Sequence, residues 1–216
     1  MNKKIILDLC GGTGSWSKPY KEAGYTVLKV SLPEFDILKT DYHQDRMTFR
    51  GNKLSGTIVL CKDVHGILAA PPCTEFSKAK TTKPRDFFQG LRTVEACMKI
   101  IWECLAGGEL NLKWWALENP TGFLRRFLGQ PTFTFMPWWF GDFTSKSTDL
   151  WGYFKAPKQK YFERNLFTQI RKHSEHAPWY SNPKAPPQYK HLKLKRSDIR
   201  AITPPCFAQA FFNANQ

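Results

Sequence analysis

Apolar residues along this chain fall into short runs separated by glycine- and proline-rich breaks. Lys4 to Leu9 is one such run, closing in Asp8-Leu9-Cys10-Gly11-Gly12-Thr13-Gly14, the pattern of a buried strand that opens into a glycine-rich turn. A helix is predicted to begin near Ser15 to Ser17 and to stop at Gly24, with Tyr25 to Val30 as the next strand. This βαβ opening predicts a parallel sheet with a ligand at the carboxyl ends of its strands. Val64 to Ala70 reads as a second buried strand that must end at Pro71-Pro72, because proline brings no N–H to a central ladder. From Asp86 to Ala106, Phe87, Leu91, Val94, Met98, Ile101 and Leu105 recur at helical spacing, and Gly107-Gly108 closes the helix. Trp114 to Leu117 predicts a strand ending at Glu118-Asn119-Pro120, Thr148 to Phe154 another, and Ile202 to Phe212, with Pro204-Pro205 near its start, a last helix. The alternation predicts an α/β fold of Rossmann-like type, with a mostly parallel central sheet and helices on both faces.

Length changes this picture little: 216 residues suit one core. Composition changes it after Trp151. Between Lys155 and Arg200 twelve lysines and arginines face only Glu163, Glu175 and Asp198, with prolines and aromatics interleaved and no sustained period. Residues 1–151 and 201–216 are therefore expected to form the core, and 152–200 a small basic excursion from it. The whole chain carries 32 Lys and Arg against 18 Asp and Glu, a net +14, which favours a polyanion such as nucleic acid over a merely basic soluble surface. The six cysteines show no Cys-x-x-Cys pair and no histidine spacing that would close a zinc site, so they read as reduced thiols with no metal. Asp8 breaks the first apolar run too soon for a signal peptide, and no run approaches the ~20 residues of a membrane span. A monomer in a reducing, cytoplasmic compartment is expected, without a membrane partner.

Three segments could carry chemistry. Gly12-Thr13-Gly14 after a strand lets backbone approach a bound nucleotide, although a tight turn without ligand has the same pattern. Ser15-Trp16-Ser17 follows where the dinucleotide fingerprint needs its third glycine, which disfavours nicotinamide and flavin cofactors. Pro71-Pro72-Cys73 would hold a thiol rigidly at the mouth of the sheet, where it suits nucleophilic attack if a cation or donor activates it. A cysteine between apolar runs is equally often a small core residue, and spacing alone leaves both readings open. Glu118 at another strand's end would stand on the same rim as Cys73; taken singly it could also be a helix cap.

Taken in order, Asp-Leu-Cys-Gly-Gly-Thr-Gly, Ala-Pro-Pro-Cys-Thr-Glu-Phe-Ser, Leu-Glu-Asn-Pro and Ile-Thr-Pro-Pro-Cys-Phe-Ala resemble the motifs of the DNA cytosine-5 methyltransferases, close to the short, phage-type branch. The resemblance implies a fold that binds S-adenosylmethionine and a covalent mechanism in which Cys73 adds to C6 of cytosine while Glu118 engages the N3 edge. It implies a cofactor site made by Asp8, Cys10, Gly11, Gly12, Thr13, Gly14 and Ser15, with Asp36 at the adenine edge and Pro72 and Thr203 bordering the pocket. Ser31 stands where such folds often carry a ribose-binding acid, and Glu34 is a substitute. Thr74 follows the nucleophile where the best-known members have glutamine. Lys146, in Lys146-Ser147-Thr148-Asp149-Leu150-Trp151, would take the part of a catalytic arginine. DNA is the expected partner. Cytosine in RNA offers the same ring chemistry, and a silent relative that only binds nucleic acid has the same charge pattern.

Overall fold

The computed structural model describes residues 4–51, 56–81, 83–107, 111–142, 146–163 and 186–216. A six-stranded sheet forms its centre, in the order β2-β1-β6-β7-β9-β8. β1 (Ile5–Leu9) pairs in parallel with β2 (Thr26–Val30) and β6 (Val64–Ala69), and β6 with β7 (Trp114–Pro120). The strands are mostly apolar because both faces are covered. Leu7, Leu9, Ile67, Ala69 and Leu117 pack with Val94, Cys97, Ile100 and Ile101 of α2 (Phe87–Ala106). Their neighbours Ile6, Leu68 and Ala116 face the other way, against Trp16, Tyr20 of α1 (Lys18–Glu22), and Phe207 and Phe211 of α5 (Pro205–Ala214). α2 begins where expected: the Asp86 side chain accepts the N–H of Gln89 and caps it.

The sheet is mixed: three of its five pairings are parallel, as expected, and the two at one edge are antiparallel. β9 (Thr148–Tyr153) runs antiparallel to β7, and β8 (Phe133–Phe135) antiparallel to β9. A parallel return needs a crossover of about a dozen residues or more, usually helical. Here α3 (Arg125–Leu128) is one turn long, and a 3-10 turn at Pro137–Phe140 occupies the link from β8 to β9. A second sheet was also unforeseen. β3 (Phe35–His43), β4 (Arg46–Gly51) and β5 (Thr57–Leu60) form an antiparallel meander, with Phe35, Ile37, Met47, Phe49 and Val59 turned into the core beside α2.

β7 continues through Glu118, Asn119 and Pro120, so the carboxyl group of Glu118 is carried by the strand itself. β9 passes the expected boundary at 151, and Asn215 closes on Lys155 with two hydrogen bonds, tying this part of the excursion to the last helix. Residues 164–185 of the excursion lie outside the described ones. Its end includes α4 (Arg196–Ala201), whose Ile199 is buried together with the following Ile202. Among the described residues no helix is long and apolar enough to cross a membrane.

Candidate active site

Beyond β6 the chain passes through Pro71 and Pro72 to Cys73, whose carbonyl accepts the N–H groups of Phe76 at 3.0 Å and Ser77 at 2.8 Å. The loop therefore folds tightly around the thiol-bearing residue. Phe76 is fully buried and stacks on Phe87 of α2, with Phe127 at its edge. Glu75 accepts from Lys80 and from the backbone of Asp86, while Arg85 donates to the carbonyls of Glu75 and Lys80. The N–H of Phe123, in the turn after β7, donates to the carbonyl of Phe76 at 2.8 Å. These ties fix Cys73 on a rigid loop with its side chain only half-buried.

Glu118 on β7 and Lys146 just before β9 approach the same thiol. Burial raises the Cys73 pKa, the Lys146 ammonium lowers it, and the Glu118 carboxyl group raises it. Glu118 is itself pushed up, first by burial and also by Asp149, against the opposing pull of Lys146. A thiol, a carboxyl group and an ammonium group from three separated segments thus share one electrostatic neighbourhood. Glu118 and Lys146 also line a pocket of about 530 Å³, its open mouth included, whose wall holds Thr148, Thr203, the Ile199–Ala201 end of α4 and the following Ile202. Cys73 is not among the lining residues, so it meets Glu118 and Lys146 from beyond that pocket. Part of the basic excursion, by contrast, walls the pocket.

The glycine turn is built around Asp8. A Cβ on Gly11 would stand 2.1 Å from the Asp8 carboxyl oxygen, so only glycine lets the turn fold over this buried acid. Gly12 takes φ +53°, and nothing lies within 4 Å of where its Cβ would be, while its N–H donates to Ser31 Oγ and its carbonyl accepts from Lys29. Cys10 and Gly14 also have positive φ, and Thr13 is half-buried between the glycines. Ser15 Oγ accepts the N–H of Thr203 at 2.9 Å, which brings the C-terminal Thr203-Pro204-Pro205 onto the turn. Asp8, Cys10 to Ser15 and Thr203 are therefore contiguous, and Thr203 connects them to the pocket of Glu118. The chain matches no protein-family model and no characterised protein by sequence.

Two expected cofactor residues stand apart from this cluster in their contacts. Asp36 lies on β3, where its carboxyl group accepts from Leu38 N–H and pairs with Lys39 at 3.8 Å. Pro72 is exposed beside Cys73. Residues that the sequence did not single out complete the frame. Asp149, fully buried, receives two guanidinium bonds from Arg125 and one hydroxyl bond each from Thr121 and Thr134. Asp142 accepts from the N–H groups of Cys206 and Phe207 and so caps α5 from a distance. A charged residue in an otherwise apolar strand was the available signal for Asp149. Among the described residues no cluster of three His, Cys, Asp or Glu side chains could hold a metal.

Proposed function

We propose that this chain transfers a methyl group from S-adenosylmethionine to C5 of cytosine in DNA, through a covalent adduct at Cys73, on a Rossmann-like methyltransferase fold. The observation that carries the reading is that Glu118 and Lys146, from two other segments, both act on the protonation of Cys73, and that Lys146 acts on that of Glu118 as well. The ordered motifs that resemble the cytosine-5 methyltransferases point to the same cysteine and glutamate. The glycine turn fits an adenosyl ligand: Gly12 leaves its outer side clear, and the buried Asp8 oxygen beneath Gly11 has no protein partner among the described residues. Asp8, Gly11, Gly12 and Ser15, with Thr203 across from them, would hold the cofactor, and when bound it supplies an electrophilic methyl group.

The rest of the chemistry belongs to the chain. Lys146 stabilises the thiolate of Cys73, which burial disfavours, and the sulfur adds to C6 of the ring. Glu118, biased by burial toward its protonated form, donates to N3 as negative charge develops there, an interaction stronger in the transition state than in the ground state. Addition makes C5 nucleophilic. After methyl transfer, loss of the C5 proton expels the sulfur and restores the aromatic ring. A stacked base is out of reach of these groups, so the cytosine must leave the duplex, and a chain of net charge +14 can offset that cost through phosphate contacts.

An oligonucleotide carrying 5-fluorocytosine tests the reading, because fluorine blocks the final elimination and traps the adduct. The expected product has the mass of chain, oligonucleotide and one methyl group, maps to Cys73, requires the methyl donor and disappears in Cys73→Ala. DNA and RNA oligonucleotides run side by side identify the substrate. No adduct with either, or one at another cysteine, overturns the proposal.

A further inference from the structure

Lys146 stands just before β9, where side chains alternate between the two faces of the sheet. Glu118 of β7 lies directly opposite Leu150, and Glu118, Thr148 and Lys146 line one pocket. Asn119 lies opposite Asp149, so Asp149, and Ser147 two residues before it, turn to the other face. There Thr121, the residue after β7, meets both of them. Its N–H donates to the Ser147 carbonyl at 2.9 Å, its hydroxyl donates to Asp149 Oδ1 at 2.9 Å, and the same hydroxyl lies 2.7 Å from Ser147 Oγ. On the pocket face, Thr148 Oγ1 donates to the Lys146 carbonyl at 3.0 Å. The half-buried Lys146 is thus held through the two residues that follow it, one on each face.

The protons on the far face run in one direction. Asp149 is fully buried and accepts from Arg125 at 2.7 and 2.6 Å and from Thr134 at 2.8 Å. The two guanidinium bonds make it a carboxylate, which accepts and never donates. Thr121 has one hydroxyl proton and gives it to this carboxylate, so in the 2.7 Å contact the donor is Ser147. Ser147, Thr121 and Asp149 therefore form a directed chain in which each bond polarises the next. A slip of one residue in β9 would turn Lys146 to the far face and Ser147 into the pocket. The chain opposes that slip, because it is made only when Ser147 faces Thr121. We propose that Thr121 is a positioning residue: anchored by Asp149, its hydroxyl holds Ser147 on the far face and so keeps the Lys146 ammonium group at the pocket beside Glu118. Thr121 does not line that pocket itself, so its influence there passes through Lys146. The consequence for catalysis rests on the function proposed above; the placement of Lys146 does not.

Competitive acetylation of the full-length protein with a trace of acetic anhydride, read by peptide mapping, reports the access to Lys146 relative to the exposed Lys39. Thr121→Val keeps the branched shape and removes the hydroxyl, and in it Lys146 should be acetylated several-fold faster relative to Lys39. Thr121→Ser restores the hydroxyl and should return the wild-type ratio. Single-turnover methyl transfer should slow several-fold in Thr121→Val with donor binding unchanged. Added to Lys146→Met, the same substitution should cause no further loss, since the residue it positions is already gone. A merely structural role would lower the melting temperature and leave the acetylation ratio where it was. Should Thr121→Val fail to fold, Ser147→Ala serves instead: it removes the donor, leaves every partner of Asp149 in place and carries the same expectations. An unchanged Lys146 ratio, or a released Lys146 with methyl transfer at the wild-type rate, overturns the proposal. Absence of methyl transfer in the wild type counts against the proposed reaction alone, and the acetylation ratio then decides the role of Thr121.

Discussion

The side-chain amide of Asn119 donates a 3.0 Å hydrogen bond to the carbonyl of Pro71, joining β7 to the loop that carries Cys73. Asn119 is fully buried and follows Glu118 directly, so this contact sets the spacing between the carboxyl and thiol segments. Asn119→Ala strands the Pro71 carbonyl, a loss of about 1–3 kcal/mol. The low end is expected, since the substitution also removes the Asn119 carbonyl oxygen, which is buried without a partner among the described residues. Cys73 should then react several-fold faster with iodoacetamide while unfolding occurs at a modestly lower temperature. An unchanged rate at Cys73 would show that other contacts hold the loop.

Lys146 lowers the proton affinity of both Cys73 and Glu118. Lys146→Met removes that influence, so both groups should titrate at higher pH than in the wild type. For the thiol this means less thiolate at neutral pH and a several-fold slower alkylation of Cys73, with the profile displaced to the alkaline side. Lys146→Arg keeps the charge and should keep the profile. If Met and Arg variants behave alike, Lys146 does not act on the thiol through its charge.

Much of this arrangement was legible in the chain because the parallel strands β1, β6 and β7 are buried on both faces and so read as largely apolar runs followed by glycine or proline. The ends of those runs mark the rim on which Cys73 and Glu118 stand. The antiparallel parts were less legible for a physical reason. β4 does alternate, with Met47 and Phe49 inward and Arg46 and Arg50 outward, but a strand of that length carries too few positions to separate it from a loop in isolation. Asp36 was placed at the cofactor by its motif alone; in the fold its carboxyl group accepts from the N–H of Leu38 and pairs with Lys39, both on its own strand. Asp149 escaped notice because its partner Arg125 lies on the connection between β7 and β8, a contact across 24 residues that no local pattern encodes.

The Asp149 carboxylate is sealed, and the Arg125 side chain that neutralises it is 31% exposed. Removing the cation leaves a buried charge with only the Thr121 and Thr134 hydroxyls, so Arg125→Ala is expected to cost about 3 kcal/mol, the lower part of the range for breaking a buried pair. Replacing both partners, Arg125→Met with Asp149→Leu, should recover part of that loss because no unpaired charge remains. Urea denaturation of the two variants checks this; equal losses would mean that the packing of Arg125, and not its charge, stabilises the turn after β7.

Asp8 links stability to pH. Burial pushes its carboxyl group up from 3.8 to about 6, overriding the 2.5 Å hydrogen bond donated by Ser17 and the attraction of Lys29. The folded chain therefore holds this proton more tightly than the unfolded chain, and the contribution to stability is present below the unfolded value and lost as pH rises through about 6. Above that pH the buried carboxylate costs on the order of 3 kcal/mol. Asp8→Asn retains an oxygen for Ser17 and removes the charge. The variant should gain in melting temperature relative to the wild type as pH rises from 4 to 7.5, with the difference levelling off above about 6. Comparing the two proteins cancels the titration of Glu118 and other shared groups, and a difference that stays constant across this range would show that Asp8 does not titrate in the folded state.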